Sequence, residues 1–178
     1  MSKPRERILN TTMILFHQQG YNNTGINQII EESAVSKASF YQHFKSKDDL
    51  CIEFLDKRYA YWISELKNFI SGAQTVEERF LKSFDFLIFM NEKENFRGCS
   101  FLNILSEIPS EKVEIHKVIR SHKKALRDAF NKDLKDDMLS DHIYLLFESC
   151  IVTSQLYRSN ELIKKTKSIV QGLLLSSC

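Results

Sequence analysis

The sequence predicts an all-α protein of about nine helices, and three features carry that expectation. Glycine and proline are scarce, five and two among 178 residues. Apolar residues recur at helical spacing along most of the chain. No segment alternates apolar and polar residues between turn clusters as a half-buried strand would.

The first helix runs from about Lys3 to Gln19, with Ile8, Thr12, Leu15 and Phe16 on one face and Gly20 as its C-terminal stop. A short helix follows Thr24-Gly25, with Ile26, Ile29 and Ile30 spaced for one apolar face. A third begins after Ser36 and a fourth after Ser46. There Ser46-Lys47-Asp48-Asp49 puts carboxylates in the first turn, where the helix dipole favours them. The fourth helix extends to about Ser71 and ends at Gly72. Thr75-Val76-Glu77-Glu78 starts a fifth, which fades in the charged run NEKEN at 91–95. Shorter helical pieces follow around 100–107 and after Pro109, and the tail reads as two helices, about 137–157 and 160–176. Repeats and low-complexity linkers are absent from the sequence. The expected division is residues 1–48 and 49–178, with the boundary falling in the fourth helix.

Composition bounds the function. A chain with 43% hydrophobic and 27% charged residues suits a globular protein with a real core, and its length suits one large domain or a small one joined to a larger. A net charge of +2 gives no basic field, so any nucleic-acid contact must come from local arrangement. No run of about 18 apolar residues offers a membrane span, and MSKPRERILN lacks the apolar stretch of a signal peptide. Cys51, Cys99, Cys150 and Cys178 are far apart, which disfavours a zinc site or a disulfide framework and fits a reducing cytoplasm. Cys51 and Cys150 read as core residues and Cys178 as a tail thiol without a lipidation box.

Residues 36–47, SKASFYQHFKSK, mix three aromatics with a histidine and three lysines. On a helical wheel Phe40 and Phe44 fall about 40° apart and face inward. Ser39, Gln42 and His43 point largely the other way, Tyr41 lies at the border and Lys37 in the first turn. Short helices of about two turns are unstable alone, so this pair needs the first and fourth helices to pack against. Hydroxyls, amides and lysines are the usual donors to a DNA backbone. A helix-turn-helix places the second of two short helices in the major groove.

Residues 5–54 resemble the DNA-binding region of the TetR/AcrR family of bacterial regulators. The matching pieces are Ile8-Leu9, Leu15-Phe16, Gly20-Tyr21 with Thr24, Ile29, Ala34-Val35-Ser36-Lys37, Phe40-Tyr41, His43-Phe44, and Lys47 with Leu50. Two positions depart from the family pattern: Ala34 stands where glycine often makes the turn, and Ala38 where glycine is common in the recognition helix. The resemblance implies Lys37 as a base contact and Thr24, Tyr41, His43 and Lys47 as phosphate contacts. Ser36, Ala38, Ser39 and Gln42 complete the expected DNA-facing set.

The resemblance also implies a C-terminal ligand-binding and dimerisation domain whose last two helices form a four-helix bundle with a partner chain. Leu139, Ile143, Leu146, Phe147, Cys150 and Ile151 form one apolar stripe, and Leu162, Ile163, Ile169, Val170, Leu173 and Leu174 another. The expected dimer interface is Phe147, Cys150, Ile151, Ser154, Ile169 and Leu173. The middle helices are rich in aromatics, most of them core, and pockets are lined mainly by such side chains. Trp62, Phe84, Phe89, Cys99, Phe101, Asn103, His116 and His122 are the candidate effector contacts. The implied function is a homodimeric, cytoplasmic repressor, released from a palindromic double-stranded operator by a small apolar or aromatic molecule.

Two alternatives remain at this point. Phe96-Arg97-Gly98-Cys99-Ser100, with Glu107 further on, resembles a Gly-Cys motif of family members that sense electrophiles or oxidants. A thiol at a helix N-terminus beside an arginine favours the reactive thiolate. The other is a helical small-molecule-binding protein that never touches DNA. An enzyme is not expected: the sequence has no phosphate-cradling glycine loop, no H-E-x-x-H and no G-x-S-x-G. His116 and His122 fall about 240° apart on a wheel, and neither a metal nor any other cofactor is expected.

Overall fold

The structure, a computed structural model, describes residues 3–134 and 136–176. Among the described residues it holds nine helices and no strand. They are α1 (Pro4–Gln19), α2 (Ile26–Glu32), α3 (Lys37–His43), α4 (Lys47–Ile70), α5 (Val76–Lys93), α6 (Ser100–Glu107), α7 (Val113–Asp133), α8 (Asp137–Tyr157) and α9 (Glu161–Ser176). No described helix is long and apolar enough to cross a membrane.

Local chemistry sets the helix starts. Ser36 Oγ accepts the Ser39 N–H at 3.1 Å, Ser46 Oγ the Asp49 N–H at 3.0 Å, and Thr75 Oγ1 the Glu78 N–H at 3.1 Å. Each satisfies one of the amides that a helix leaves without an internal partner. α1 ends where Gly20 turns to φ 88° and returns its N–H to the Phe16 carbonyl at 3.1 Å.

The chain divides into two compact units, and the division falls inside α4, between Tyr61 and Trp62, and inside α7, between His122 and Lys123. The first unit takes the chain up to Tyr61 together with Ser100–His122. Here α1 packs on α2 and α3, and α2 on α3. Ile8, Leu9, Leu15, Phe16, Ile29, Phe40, Phe44, Leu50 and Phe54 are buried, with Phe16 edge-on to Phe54 at 5.4 Å between ring centres. Thr12 is buried among them because its hydroxyl donates to the Ile8 carbonyl at 2.8 Å.

The second unit takes Trp62–Cys99 and the chain from Lys123 onward. α5 packs on α8 and α9, and α8 on α9. Their shared core contains Phe80, Phe84, Phe130, Ile143, Phe147, Cys150, Ile163 and Val170. Phe147 stands ring to ring with Phe84 at 5.4 Å and with Phe130 at 5.1 Å. Lys167 closes one side, its ammonium 2.7 Å from both Asp85 oxygens.

Candidate nucleic-acid interface

α3 is held by its two phenylalanines. Phe40 and Phe44 are buried with ring centres 6.1 Å apart, and the Arg5 guanidinium lies over the Phe44 ring at 5.3 Å. With that face fixed, Ser36, Lys37, Ala38, Tyr41 and Gln42 are exposed, while Ser39 and His43 are half-buried. Tyr41 keeps 45% of its surface open although its ring meets Phe40 edge-on at 5.3 Å. The exposed set therefore offers an ammonium, a phenol, an amide and a hydroxyl around one methyl group. It contains no carboxylate, which is the arrangement that suits an anionic backbone and base edges.

Ala34 occupies the left-handed region, φ 52°, at the turn between α2 and α3. That is where the sequence substitutes alanine for the usual glycine.

Thr24 is the correction in this set. It is 0% exposed, its hydroxyl donates to the Gly20 carbonyl at 2.8 Å and its N–H to the Tyr21 carbonyl. In this conformation Thr24 braces the turn from inside instead of presenting a donor to a phosphate. Lys47 is half-buried, with its ammonium 4.1 Å from the centre of the Tyr21 ring. Burial lowers its pKa, against the pull of nearby carboxylates.

A polar network that no sequence pattern announces ties the turn after α1 to the first turn of α4. Buried Tyr21 donates its hydroxyl to Asp48 Oδ1, and Lys112 Nζ donates to Asp48 Oδ2 at 2.6 Å. Burial and the hydrogen bond to Asp48 raise the Tyr21 phenol. Burial also pushes Asp48 up, but the bonds from Lys112 and Tyr21 outweigh it and hold the carboxyl below its ordinary value. Next to it the Cys51 thiol is pushed up to about 12, first by burial and then by the Asp48 charge, so Cys51 is an inert core thiol.

The eight expected effector contacts fall into separate groups. In the first unit, His122 is stacked on Tyr59 at 4.2 Å, meets Phe101 edge-on at 5.6 Å and places Nε2 2.7 Å from Asp56 Oδ1. His116 Nε2 lies 3.0 Å from the Pro109 carbonyl, and Asn103 is half-buried. In the second unit, Trp62 meets Phe86 and Phe147 edge-on, Phe84 is buried core and Phe89 leans on Phe69 and Phe86. Cys99 is half-buried. Burial works against the charge of Lys123, yet Cys99 and Glu148 beside it raise its pKa.

The expected dimer contacts also divide. Phe147, Cys150 and Ser154 are buried and face this unit's own core, while Ile151 does so only in part. Ile169 is 53% exposed and Leu173 half-buried. The open apolar face of α8 is a neighbouring stripe instead: Leu145 at 64%, Val152, and Leu156 at 70%. The Cys178 thiol lies outside the described residues.

Comparison with known proteins agrees with this geometry. The family of bacterial regulatory proteins, tetR family, matches residues 8–54. An uncharacterised HTH-type transcriptional regulator in the lacX 3' region of Lactococcus lactis subsp. lactis is 31% identical over 106 residues, covering 58% of this chain and 54% of that protein. The HTH-type transcriptional regulator LmrA of Bacillus subtilis (strain 168) is 47% identical over 58 residues, 32% of this chain and 31% of LmrA. These matches thus span about half and about a third of the curated relatives' lengths. The crystal structure of SCO4454, a TetR-family transcriptional regulator from Streptomyces coelicolor, superposes with a TM-score of 0.85 at 23% identity, covering 97% of this chain and 95% of that one. All three are described as transcriptional regulators. With the helix-turn-helix in the matched stretch and the same helical fold over nearly the whole length, this chain carries a tetR-family DNA-binding segment at residues 8–54 on the fold seen in such regulators.

Proposed function

We propose that this protein is a homodimeric, cytoplasmic repressor that binds a palindromic operator through α3 and leaves it when a small apolar or aromatic molecule binds. The observation that carries the reading is the exposed polar face of α3, Lys37, Tyr41 and Gln42, on a helix fixed from behind by Phe40 and Phe44. One such helix reads few base pairs, so a two-fold dimer reading half-sites about 34 Å apart is the economical solution. The open stripe of Leu145, Val152 and Leu156, with Ile169 on α9, supports a second copy as the partner. For the effector, the support is aromatic density in the second unit, where Trp62, Phe69, Phe86 and Phe89 stand ring to ring. Release follows if the effector favours one spacing of the two recognition helices and the operator another.

The test is binding of purified protein to the DNA upstream of its own gene, measured across salt concentrations. The expected result is specific binding whose logarithm falls linearly with the logarithm of salt. Absence of salt-dependent binding there would sink the reading, and would leave a helical binding protein indifferent to loss of Lys37 and Tyr41.

A second reading rests on Cys99, a free, half-buried thiol just before α6 that is among the groups raising the Lys123 pKa. In it, an electrophile or oxidant acting on Cys99 triggers release. Cys99→Ser would then abolish release by a maleimide, and unchanged release would remove this reading alone.

A further inference from the structure

Residues 107–112 join α6 to α7, and each end of this connection grips an edge of the helix-turn-helix. At one end Glu107 Oε2 accepts the backbone N–H of Asn22 at 2.7 Å, and the Glu107 carbonyl accepts Asn22 Nδ2 at 2.8 Å. The approach requires glycine at position 20, where φ is 88° and an added Cβ would lie 2.3 Å from Glu107 Oε1. At the other end Lys112 donates to one Asp48 oxygen at 2.6 Å while Tyr21 donates to the other. Residues 20–22, which lead the chain from α1 toward α2, and the first turn of α4 are therefore held from one short segment distant in sequence.

We infer that Glu107 is a positioning residue for DNA binding, fixing the α1–α2 turn and with it the seating of α2 and α3, with Lys112 on Asp48 as the second anchor. A carboxylate has the wrong charge to bind a phosphate, so its effect on DNA affinity comes through placement. Asn22 and Asn23 are exposed and lie between helices; Thr24 and Asn23 bond carbonyls of this turn and of the end of α1, and Glu107 adds a hold on Asn22 from outside it. The Asn22 N–H goes to an ionised acceptor, one of the stronger hydrogen bonds available to it. α2 begins four residues later and packs on both α1 and α3, so displacement of the turn is passed to the recognition helix. The inference rests on the DNA-binding reading above.

The experiment compares wild type, Glu107→Ala, Glu107→Gln and Lys112→Met in the full chain. One arm follows hydrogen–deuterium exchange of the Asn22 amide. The other measures affinity for an operator selected from random DNA with the wild-type protein, and for a non-specific duplex at the same salt. Glu107→Ala is expected to speed Asn22 exchange at least about tenfold and to weaken operator binding about tenfold, with non-specific binding little changed. Glu107→Gln loses the same charge but keeps a weaker, neutral acceptor, and is expected to fall between wild type and Glu107→Ala in both arms. Lys112→Met is expected to weaken operator binding in the same direction. Equal behaviour of the alanine and glutamine variants would overturn the inference, as would wild-type exchange in Glu107→Ala. If Glu107→Ala does not fold, Asn22→Ala replaces it, and unchanged operator affinity there overturns the inference. A wild-type protein for which no operator can be selected refutes the DNA-binding reading instead, whatever the exchange shows.

Discussion

Arg7 donates from Nη2 to the Ala34 carbonyl at 3.1 Å, tying α1 to a residue held in left-handed backbone geometry. An alanine there costs roughly 1–2 kcal/mol relative to ordinary geometry, a cost that glycine escapes. Ala34→Gly is therefore expected to stabilise the first unit by about 1 kcal/mol, because glycine keeps the carbonyl in place for Arg7. A urea titration followed by circular dichroism checks this, and a lowered midpoint would refute it.

Two substitutions on α8 separate its faces. Leu156→Glu is expected to leave the helical spectrum unchanged while shifting sedimentation from dimer to monomer, since Leu156 is largely open to solvent. Phe147→Ala empties a site with no exposed surface and is expected to cost about 3–5 kcal/mol in stability. An unchanged oligomeric state in Leu156→Glu would rule out this stripe as the subunit contact.

Asp48 gives a pH dependence of definite sign. Its folded pKa lies below the ordinary carboxylate value, because the bonds from Lys112 and Tyr21 outweigh the effect of burial. The stability it contributes is present above about pH 4 and lost as pH falls through the lower folded value. Lys112→Met is expected to be less stable than wild type at neutral pH, and the gap should close as pH falls through the lowered folded value of Asp48. Urea midpoints at several pH values give the answer; a gap independent of pH would refute the assignment.

On DNA, Lys37 and Lys47 should behave differently. Lys37→Ala, exposed in the first turn of α3, is expected to relax preference at one base position per half-site. Lys47→Ala is expected to weaken binding about equally on all sequences and to lower the salt slope by about one. Binding measured on a panel of single-base operator variants at two salt concentrations distinguishes the two outcomes.

These residues also show what a sequence can reveal. The starts of α3, α4 and α5 were legible because a cap is local: Ser36, Ser46 and Thr75 each bond an amide three residues away. The inward turn of Phe40 and Phe44 was legible for the same reason, through helical periodicity. Thr24 was misplaced because whether a hydroxyl faces in or out depends on a carbonyl four residues back and on everything packed around it. On α8, apolar residues lie on more than one face, so periodicity found Phe147 and Cys150 without showing that they belong to the unit's own core. Glu107 and Asn22 were invisible: they are 85 residues apart, and neither stands in a pattern that points to the other.

The discontinuous first unit has a practical consequence for building hybrid regulators. A junction placed at the start of α4 would transplant the reading helix without the stretch from Ser100 to His122 that folds beside it. The donor's Gly20 and Asn22 would then face whatever side chain the recipient carries at the end of its own sixth helix. Exchanging operator specificity between such proteins is thus a two-segment graft, and Ser100–His122 is the second segment to move.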